Sequence, residues 1–261
     1  MASFVNPARE RLKKGELALG VGIRLSRTIE IAKAMATGGF DWLFVDMEHG
    51  TIGLDTAAQM CVAAQDAGIA AIPRVPAKSY TLATRLLDGG AAGIVMPHVD
   101  TPEEAREIVD RLKYPPQGHR SVAGGMAQLD YLPVPLGEAT RNLNAETLLV
   151  VMIETPQAVE NAEAIAAVPG IDVLLMGTND LSMELGHPGE LGHPKVVASY
   201  ERIIAATRKH GKWAGMGGVY TEDLMSRYIG MGCRFILGGA DFAFVLAAAA
   251  QRTKFLRGLT G

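Results

Sequence analysis

The chain has 261 residues, 48% of them hydrophobic and 20% charged, with a formal net charge of −3. This length is typical of one α/β barrel of about 250 residues, so we expect a single domain over residues 1–261. The small net charge and the lack of a basic block argue against nucleic-acid or anionic-membrane partners. No apolar run reaches the roughly 18 residues of a transmembrane helix, and Met1 to Glu16 carries no signal core. We therefore expect a cytoplasmic protein.

Short apolar runs alternate with amphipathic segments along the chain. The predicted strands are Leu17–Ile23, Trp42–Met47, Ala70–Val75, Gly93–Val99, Thr147–Glu154, Asp172–Gly177, Trp213–Gly217 and Arg234–Gly238. The predicted helices are Thr28–Ala36, Leu54–Ala67, Tyr80–Leu87, Pro102–Leu112, Pro156–Ala167, Val196–Lys209, Glu222–Met231 and Phe242–Leu256. Glycines suited to left-handed C-caps follow several of these helices. Strands and helices in strict alternation predict an α/β fold, a closed (β/α)₈ TIM barrel.

Two predicted connections exceed ordinary loop length, Pro115–Glu146 and Gly186–Pro194. Long connections in a compact domain commonly shape or cover an active site. We therefore expect both at the mouth of the barrel, the rim formed by the C-terminal ends of the strands. Glycines at 118, 124 and 125 favour a mobile lid in the first segment.

Two predicted strands end in an acid followed by a helical pattern. Glu154 follows the run Leu149–Ile153, and Asp180 follows the run Leu174–Gly177 after Thr178 and Asn179. Two carboxylates at the mouth of a barrel suit a hard divalent cation, which leaves about four positions for water and substrate. A 2-oxo acid such as pyruvate could fill two of them. The N–H groups of the helical turn that begins near Asp180 could bind its carboxylate.

Other polar residues follow the neighbouring strands. Arg74 keeps its proton, so we expect it to stabilise negative charge that grows on an enolate or ketone oxygen. Histidine is the side chain best suited to proton transfer near neutral pH, so His49 is the candidate for this role, with its ring oriented by Asp46 or Glu48. His98 also lies at a strand end, where a supporting role is as well suited as a chemical one.

Several other chemistries lack their residues. No predicted strand end carries the lysine that a Schiff-base aldolase needs, since Lys78 and Lys212 lie outside the strands. Neither a serine-nucleophile motif nor a zinc-type cysteine–histidine cluster occurs in the sequence. Cys61 and Cys233, the two cysteines, fall in apolar patterns and are predicted to be buried.

The sequence resembles the class II, metal-dependent pyruvate aldolases of the HpcH/HpaI type. The resemblance covers nearly the whole chain and depends on several short motifs in the same order. The motifs are Asp46-Met47-Glu48-His49, Arg74, Leu86-Leu87-Asp88-Gly89-Gly90, Tyr114-Pro115-Pro116-Gln117-Gly118-His119-Arg120, Ile153-Glu154-Thr155 and Gly177-Thr178-Asn179-Asp180-Leu181.

The resemblance implies a barrel that assembles as a homohexamer, a trimer of dimers, with the last helix exchanged between subunits. It implies reversible cleavage of 4-hydroxy-2-oxo acids to pyruvate and an aldehyde, with Mg²⁺, Mn²⁺ or Co²⁺. Glu154 and Asp180 match the metal ligands, His49 the proton-transfer histidine, and Arg74 the group that stabilises the transition state. Asn179 and Asp180 match the residues whose backbone contacts pyruvate.

Asp88 matches an acid that raises the basicity of the histidine in the family. On the predicted topology, however, Asp88 lies near the end of a helix, at the end of its own barrel opposite the mouth. It can act only on a neighbouring subunit, so we expect a site shared between subunits. The alternative is a helix-end acid that makes a surface contact.

The sequence departs from the family pattern around the expected pocket. Met152 replaces a frequent glutamine, and Gly177-Thr178-Asn179-Asp180 replaces the usual Gly-Pro-(Ala/Ser)-Asp. His98 stands where relatives often have methionine, and Gly215–Gly218 replaces a bulkier strand end. We expect a pocket for the aldehyde that is larger or differently polar.

Three other functions remain open. Citrate lyase β-subunits and malyl-CoA lyases share this barrel and metal site but are usually longer, with a thioester-binding surface. A phosphomutase or decarboxylase could use the same metal and enolate, although no phosphate-binding Gly-Lys-Ser/Thr motif is present. A ligand-binding barrel without catalysis is the third; it would tolerate loss of Glu154 or Asp180, and both are present.

Overall fold

The computed structural model describes residues 3–260, so Met1, Ala2 and Gly261 of the predicted single domain lie outside the described residues. Within that range, eight parallel strands form one sheet in the order β3-β2-β1-β8-β7-β6-β5-β4. The strands are β1 Ala18–Ile23, β2 Trp42–Val45, β3 Ala70–Ala71, β4 Gly93–Met96, β5 Leu148–Ile153, β6 Val173–Gly177, β7 Trp213–Gly217 and β8 Phe235–Ala240. The sheet closes because Ala92 N donates to Ala71 O (2.8 Å) and Val95 N to Pro73 O (2.9 Å). The predicted (β/α)₈ barrel is confirmed.

Helices surround the barrel and cover one of its ends. They are α1 Pro7–Lys13, α2 Glu30–Thr37, α3 Leu54–Asp66, α4 Tyr80–Asp88, α5 Pro102–Leu112, α6 Leu136–Glu146, α7 Pro156–Glu160, α8 Ala162–Ala166, α9 Thr178–Glu184, α10 Pro194–Lys209, α11 Glu222–Met231 and α12 Asp241–Arg257. None of the described helices is long and apolar enough to cross a membrane.

Aromatic side chains fill the inside of the barrel. Trp42 is fully buried and stacks on Phe235, with ring centroids 4.0 Å apart. A Cβ at Gly20 would overlap the Trp42 ring, so β1 needs a glycine there. Gly22 is the next residue of β1 on the same face, because side chains alternate along a strand. Aromatic rings therefore close the lower barrel, while small residues leave space near the mouth.

Three strands end two or more residues earlier than the sequence pattern predicted. β3 contains only Ala70 and Ala71, because Pro73 has no N–H to donate to a ladder. Arg74 still joins the ring through isolated bridges to Asp46 and Val95. β2 ends at Val45 instead of residue 47, and β4 at Met96 instead of residue 99.

The predicted position of Pro115–Glu146 is wrong. This segment connects a helix to the following strand, which places it at the N-terminal ends of the strands, here called the floor. Its last part forms α6, which the sequence analysis missed together with α1. The side chain of Asn6 caps α1 and donates to Ala92 O (2.9 Å) and Glu146 O (3.0 Å), directly before β4 and β5. The two helices cover the floor, and this segment forms no lid over the mouth.

Two smaller differences concern the second half of the chain. The predicted helix Pro156–Ala167 is divided into α7 and α8 at Asn161, whose side-chain amide donates to Asp100 O (2.7 Å). The connection Gly186–Pro194 does lie on the mouth side, between α9 and α10. Cys61 and Cys233 are buried as predicted.

A buried lysine joins the floor helix to the barrel. The Lys113 side chain is 2% exposed, and its Nζ donates to Asn144 O and Thr147 O, both at 2.7 Å. Burial lowers the pKa of Lys113 to about 8, opposed by the negative charge of Asp172. Lys113 thus satisfies two carbonyls at the point where α6 leads into β5.

Lys113→Met should destabilise the protein by about 3 kcal/mol, because two carbonyls lose their donor inside the protein. The difference in free energy of unfolding between wild type and Lys113→Met should grow as the pH rises from 8 to 10. Folded Lys113 loses its proton near pH 8, whereas unfolded lysine keeps it to pH 10.5, so wild-type stability gains with pH in this interval. Denaturant unfolding at both pH values measures the effect. Lys33→Met, on the exposed side of α2, is the control; equal stability of the two variants would contradict this role for Lys113.

Candidate active site

A cavity of about 470 Å³ opens at the mouth and brings together most of the predicted site residues. The predicted residues that line it are Asp46, His49, Arg74, Met152, Gly177, Thr178, Asn179 and Asp180. Arg24, Tyr220 and Phe242 line it as well, although the sequence analysis gave them no role. No lysine lines the cavity among the described residues, in agreement with the predicted absence of a Schiff-base lysine.

Asp46 and Arg74 form a buried ion pair at the ends of β2 and β3. Arg74 Nε lies 3.1 Å from Asp46 Oδ1, and Nη2 lies 2.8 Å from Oδ2. Asp46 Oδ1 also accepts the backbone N–H groups of Glu48 (3.2 Å) and His49 (3.1 Å). Burial opposes ionisation of Asp46, but Arg74 and these N–H groups outweigh it and lower its pKa. Asp46 therefore fixes the Arg74 fork and the backbone of His49; it makes no hydrogen bond to the His49 ring in the described structure.

Glu48 lies between three cationic or titratable side chains. Its carboxylate is 3.0 Å from Arg74 Nη1, 3.3 Å from His98 Nε2 and 3.9 Å from His49 Nε2. The His49 ring is 55% exposed, which leaves it accessible to a substrate in the cavity. Of the two acids that the sequence offered for orienting His49, Glu48 is the one near the ring.

Glu154 is a buried carboxylate at the end of β5. It is 2% exposed, and its Oε2 accepts the backbone N–H of His98 at 2.9 Å. The backbone of His98 is left-handed, with φ of 53°, and this turn directs its N–H to Glu154. Burial raises the pKa of Glu154, and the nearby charge of Asp180 adds to this effect. The backbone N–H and the ring of His98 act in the opposite direction. A Cβ at Gly177 would overlap the carboxylate, so the neighbouring strand β6 ends in a glycine.

The residues that follow β6 differ in what they offer to the cavity. Thr178 is buried, and its hydroxyl donates to Gly217 O (2.7 Å) and pairs with the Tyr200 hydroxyl (2.7 Å). The Thr178 side chain thus fastens the start of α9 to β7 instead of pointing to a ligand. Asn179 and Asp180 are exposed to the mouth in the first turn of α9.

Asp88 lies away from this cavity. It ends α4, which leads from the mouth down to the floor, and its carboxylate pairs with Arg120 Nη2 at 2.5 Å. Its side chain is 37% exposed. The expected position, opposite the mouth of its own barrel, is therefore what the structure shows.

Met152 borders the cavity, and three residues of the connection between α9 and α10 form a separate cluster. Met152 lines the cavity with its Sδ 3.9 Å from Arg74 Nη1, at the position where a glutamine would have offered a polar side chain. His187, Glu190 and His193 form a cluster in the connection between α9 and α10, and their possible ligand atoms lie within 4.8 Å of one another. His193 Nδ1 already accepts Lys195 N–H at the start of α10.

The comparisons with known proteins agree with this geometry. Residues 25–248 match the family model described as HpcH/HpaI aldolase/citrate lyase. The chain belongs to this family. A 4-hydroxy-4-methyl-2-oxoglutarate aldolase from Hapsidospora irregularis is 36% identical, over 96% of this chain and 94% of the relative. A 2-keto-3-deoxy-L-rhamnonate aldolase from Escherichia coli O9:H4 (strain HS) is 33% identical, over 96% and 93%.

The crystal structure of an HpcH/HpaI aldolase from Desulfitobacterium hafniense DCB-2 superposes with a TM-score of 0.91. It is 31% identical and covers 98% of this chain and 97% of its own. The resemblance inferred from the motifs is thus confirmed over nearly the whole length, and the chain is an aldolase, a carbon–carbon lyase.

Glu154→Gln should stabilise the metal-free protein at neutral pH relative to wild type. The pKa of Glu154 is raised by folding, so the folded protein holds the proton more tightly than the unfolded chain does. The contribution of Glu154 to the free energy of unfolding is fully present below the pKa of unfolded glutamate. This contribution is lost as the pH rises through the raised pKa of Glu154 in the folded protein. Thermal unfolding in chelator at acid and neutral pH measures this; Glu160→Gln, on the exposed end of α7, is the control. A Glu154→Gln effect independent of pH would contradict the assignment.

Proposed function

We propose that this aldolase cleaves a 4-hydroxy-2-oxo acid reversibly to pyruvate, or a related 2-oxo acid, and an aldehyde or ketone. The reaction uses a divalent metal ion (Mg²⁺, Mn²⁺ or Co²⁺) on Glu154 and Asp180, in a cytoplasmic enzyme whose whole chain forms one domain. The observation that carries the proposal is the buried Glu154 carboxylate at the end of β5, which lies 3.4 Å from the His98 ring; this ring in turn contacts Glu48, the acid beside Arg74 and His49.

The residues around Glu154 fit a hard cation. Glu154 has one protein hydrogen-bond donor, His98 N–H on Oε2, and Oε1 accepts none from the described residues. A buried acid with an open oxygen is stabilised in its charged form by a cation, and carboxylate oxygens are ligands of Mg²⁺ and Mn²⁺. When bound, the ion would act as a Lewis acid toward the 2-oxo group of the substrate. The cluster of His187, Glu190 and His193 lies at the rim in the α9–α10 connection, outside the cavity lining.

The other side chains have distinct roles in this proposal. Cleavage takes the proton from the C4 hydroxyl, breaks the C3–C4 bond, leaves its electron pair in the enolate, and then protonates C3. His49 is an exposed titratable side chain of the cavity and would accept or return the proton, with Glu48 beside its ring. Arg74, held by Asp46, would stabilise the charge that grows on the oxygen of the substrate. Gly177, Asn179 and Asp180 would contact the 2-oxo acid through the backbone, and Met152 would border it.

The named relatives support an aldolase over the other functions. The relatives described above, which match over nearly their whole length, are aldolases by name. They differ in the second product that their named substrates release, so they leave the acceptor of this chain open. The acyl-CoA lyase alternative would need a thioester-binding surface, and a phosphomutase would need a phosphate-binding motif that the sequence lacks.

Deuterium exchange into the methyl group of pyruvate tests the proposal, because enolate formation needs no acceptor. We expect wild type to exchange with added Mg²⁺ or Mn²⁺ and to stop in excess chelator. Glu154→Gln and Asp180→Asn should abolish metal-dependent exchange, and Arg74→Lys should slow it about 100- to 1,000-fold, as expected for loss of one preorganised charge donor. NMR of the pyruvate methyl signal follows the reaction.

The matched control is Glu160→Gln, which removes an exposed acid outside the cavity lining and should exchange like wild type. Folded, metal-loaded wild type without exchange above background would refute the pyruvate enolate. Acyl-CoA substrates would then be the next class to assay.

We also propose that the protein assembles as a homohexamer, a trimer of dimers, in which α12 crosses to a neighbouring subunit. Every residue of α12 after Asp241 is exposed in the single chain, including Phe244, Leu246 and Phe255 at 42%, 63% and 59%. Such a series of apolar side chains on one helix is typical of an interface. Assembly would also bring Asp88 of one subunit to the mouth of another, where it would raise the basicity of His49.

Co-expression of two inactive variants tests the shared site. We expect Asp88→Asn and His49→Gln to reduce pyruvate exchange separately, and mixed hexamers to regain part of it, because some interfaces would pair an intact Asp88 with an intact His49. Exchange per subunit in doubly tagged, purified mixtures is the measurement. Mixtures no more active than the average of the two variants would contradict a site shared through Asp88.

A further inference from the structure

Two histidines and a glutamate meet outside the cavity, in the connection between α9 and α10. His187, Glu190 and His193 follow one another at intervals of three residues, and their possible ligand atoms lie within 4.8 Å of one another. The rings of His187 and His193 stack with their centroids 3.5 Å apart, and His187 Nδ1 lies 3.8 Å from Glu190 Oε1. The proposed reaction uses none of these three side chains.

Backbone hydrogen bonds order this connection without help from the three side chains. The carbonyl of Ser182 accepts His187 N–H (2.8 Å), and its hydroxyl accepts Gly189 N–H (3.1 Å). Glu190 N–H donates to His187 O (3.1 Å), and His193 N–H donates to Glu190 O (2.9 Å). A ligand of these side chains would therefore meet a backbone that is already folded, which lowers the entropy cost of binding.

The three side chains keep most of their ligand atoms available. The side chains of His187 and Glu190 make no hydrogen bond to a described residue, and their contact with each other is longer, at 3.8 Å. His193 Nδ1 accepts Lys195 N–H at 3.3 Å, a long hydrogen bond that caps α10. His187 is 26% exposed and Glu190 62%, so an ion in solvent can reach the cluster.

Two imidazoles with one carboxylate favour a different ion from the pair of acids at the mouth. Imidazole nitrogen is a preferred ligand of Zn²⁺ and Co²⁺, whereas Mg²⁺ takes oxygen. Three protein ligands with a fourth position open to water form a common zinc arrangement. Ligand atoms about 2.0–2.2 Å from one ion lie about 3.4 Å apart, so ligand atoms now within 4.8 Å need to approach by at most about 1.4 Å. The stacked rings would turn so that one nitrogen of each points to the ion.

We propose that His187, Glu190 and His193 form a second metal site, which binds a Zn²⁺ or Co²⁺ ion with one position open to water. The site is separate from Glu154 and Asp180, and it does not depend on the proposed function. The ion would join the residues just after α9 to the residue that caps α10. It would therefore restrain the connection that follows α9, the helix whose first turn carries Asp180.

Equilibrium dialysis of the full chain against Co²⁺ tests this site, with bound ions counted per subunit. Co²⁺ takes both imidazole and carboxylate ligands, and its visible absorbance reports which ligands it has. We expect two ions in wild type, one in Glu154→Gln, one in His187→Gln and none in the double variant. The affinity lost in His187→Gln should exceed the 10- to 100-fold, roughly, that a residue supporting a metal ligand contributes.

Two further variants separate metal binding from folding. His193→Asn should bind one ion like His187→Gln, because asparagine keeps a side-chain acceptor at the N-cap of α10 but has no imidazole. His119→Gln is the matched control and should bind two ions, because His119 pairs with Asp110 but belongs to no such cluster among the described residues.

The same count distinguishes failure of this site from failure of the proposed function. Equal numbers of ions in wild type, His187→Gln and His193→Asn would overturn the second site. One ion in wild type that persists in Glu154→Gln and is lost in His187→Gln would support the second site and refute metal binding by Glu154.

Discussion

The buried carboxylate of Asp46 is the constraint on which one half of the mouth depends. β3 is only two residues long, so the end of this strand has little ladder to hold it. The bidentate pair with Arg74 joins the ends of β2 and β3, and the N–H groups of Glu48 and His49 converge on the same carboxylate. A buried ion pair that is fully hydrogen-bonded gives the site fixed geometry, whereas loss of one partner would leave an uncompensated charge. The Arg74 guanidinium and the backbone of His49, the candidate base, are thus both positioned by the Asp46 carboxylate.

The other half of the mouth depends on backbone that comes close to the Glu154 carboxylate. Gly177 lets the Glu154 carboxylate lie between β5 and β6, and the left-handed turn at His98 supplies its hydrogen-bond donor. Lower in the barrel, Trp42 and Phe235 fill the interior opposite the glycines of β1. The cavity therefore ends where the aromatic layer begins, and its polar groups lie at the ends of the strands or in the segments that directly follow them.

Much of this arrangement could be predicted from the sequence, because it follows from local patterns. Apolar runs that end in an acid or arginine mark the C-terminal ends of barrel strands, and this placed Glu154, Arg74 and Asp180 at one mouth. The wrong prediction concerned residues 115–146, where loop length was interpreted without its position in the chain. A segment between a helix and the next strand must lie at the floor, and the Asn6 and Lys113 contacts that hold it there join residues far apart in sequence. Arg24 was missed as a cavity residue for the same reason. Only the folded ring of strands brings it beside Asp46 and Arg74, which are distant from it in sequence.

The position of α6 at the floor has a consequence for the fate of the reactive intermediate. Because the long segment of this chain covers the floor, no element of the described chain between 115 and 146 shields the mouth from water. An enolate formed there has two competing partners, the carbonyl carbon of an acceptor and a proton that is ultimately supplied by solvent. The fraction of enolate that forms a carbon–carbon bond then depends on how tightly the acceptor is bound. Tight binding of the acceptor thus prevents loss of the enolate to protonation.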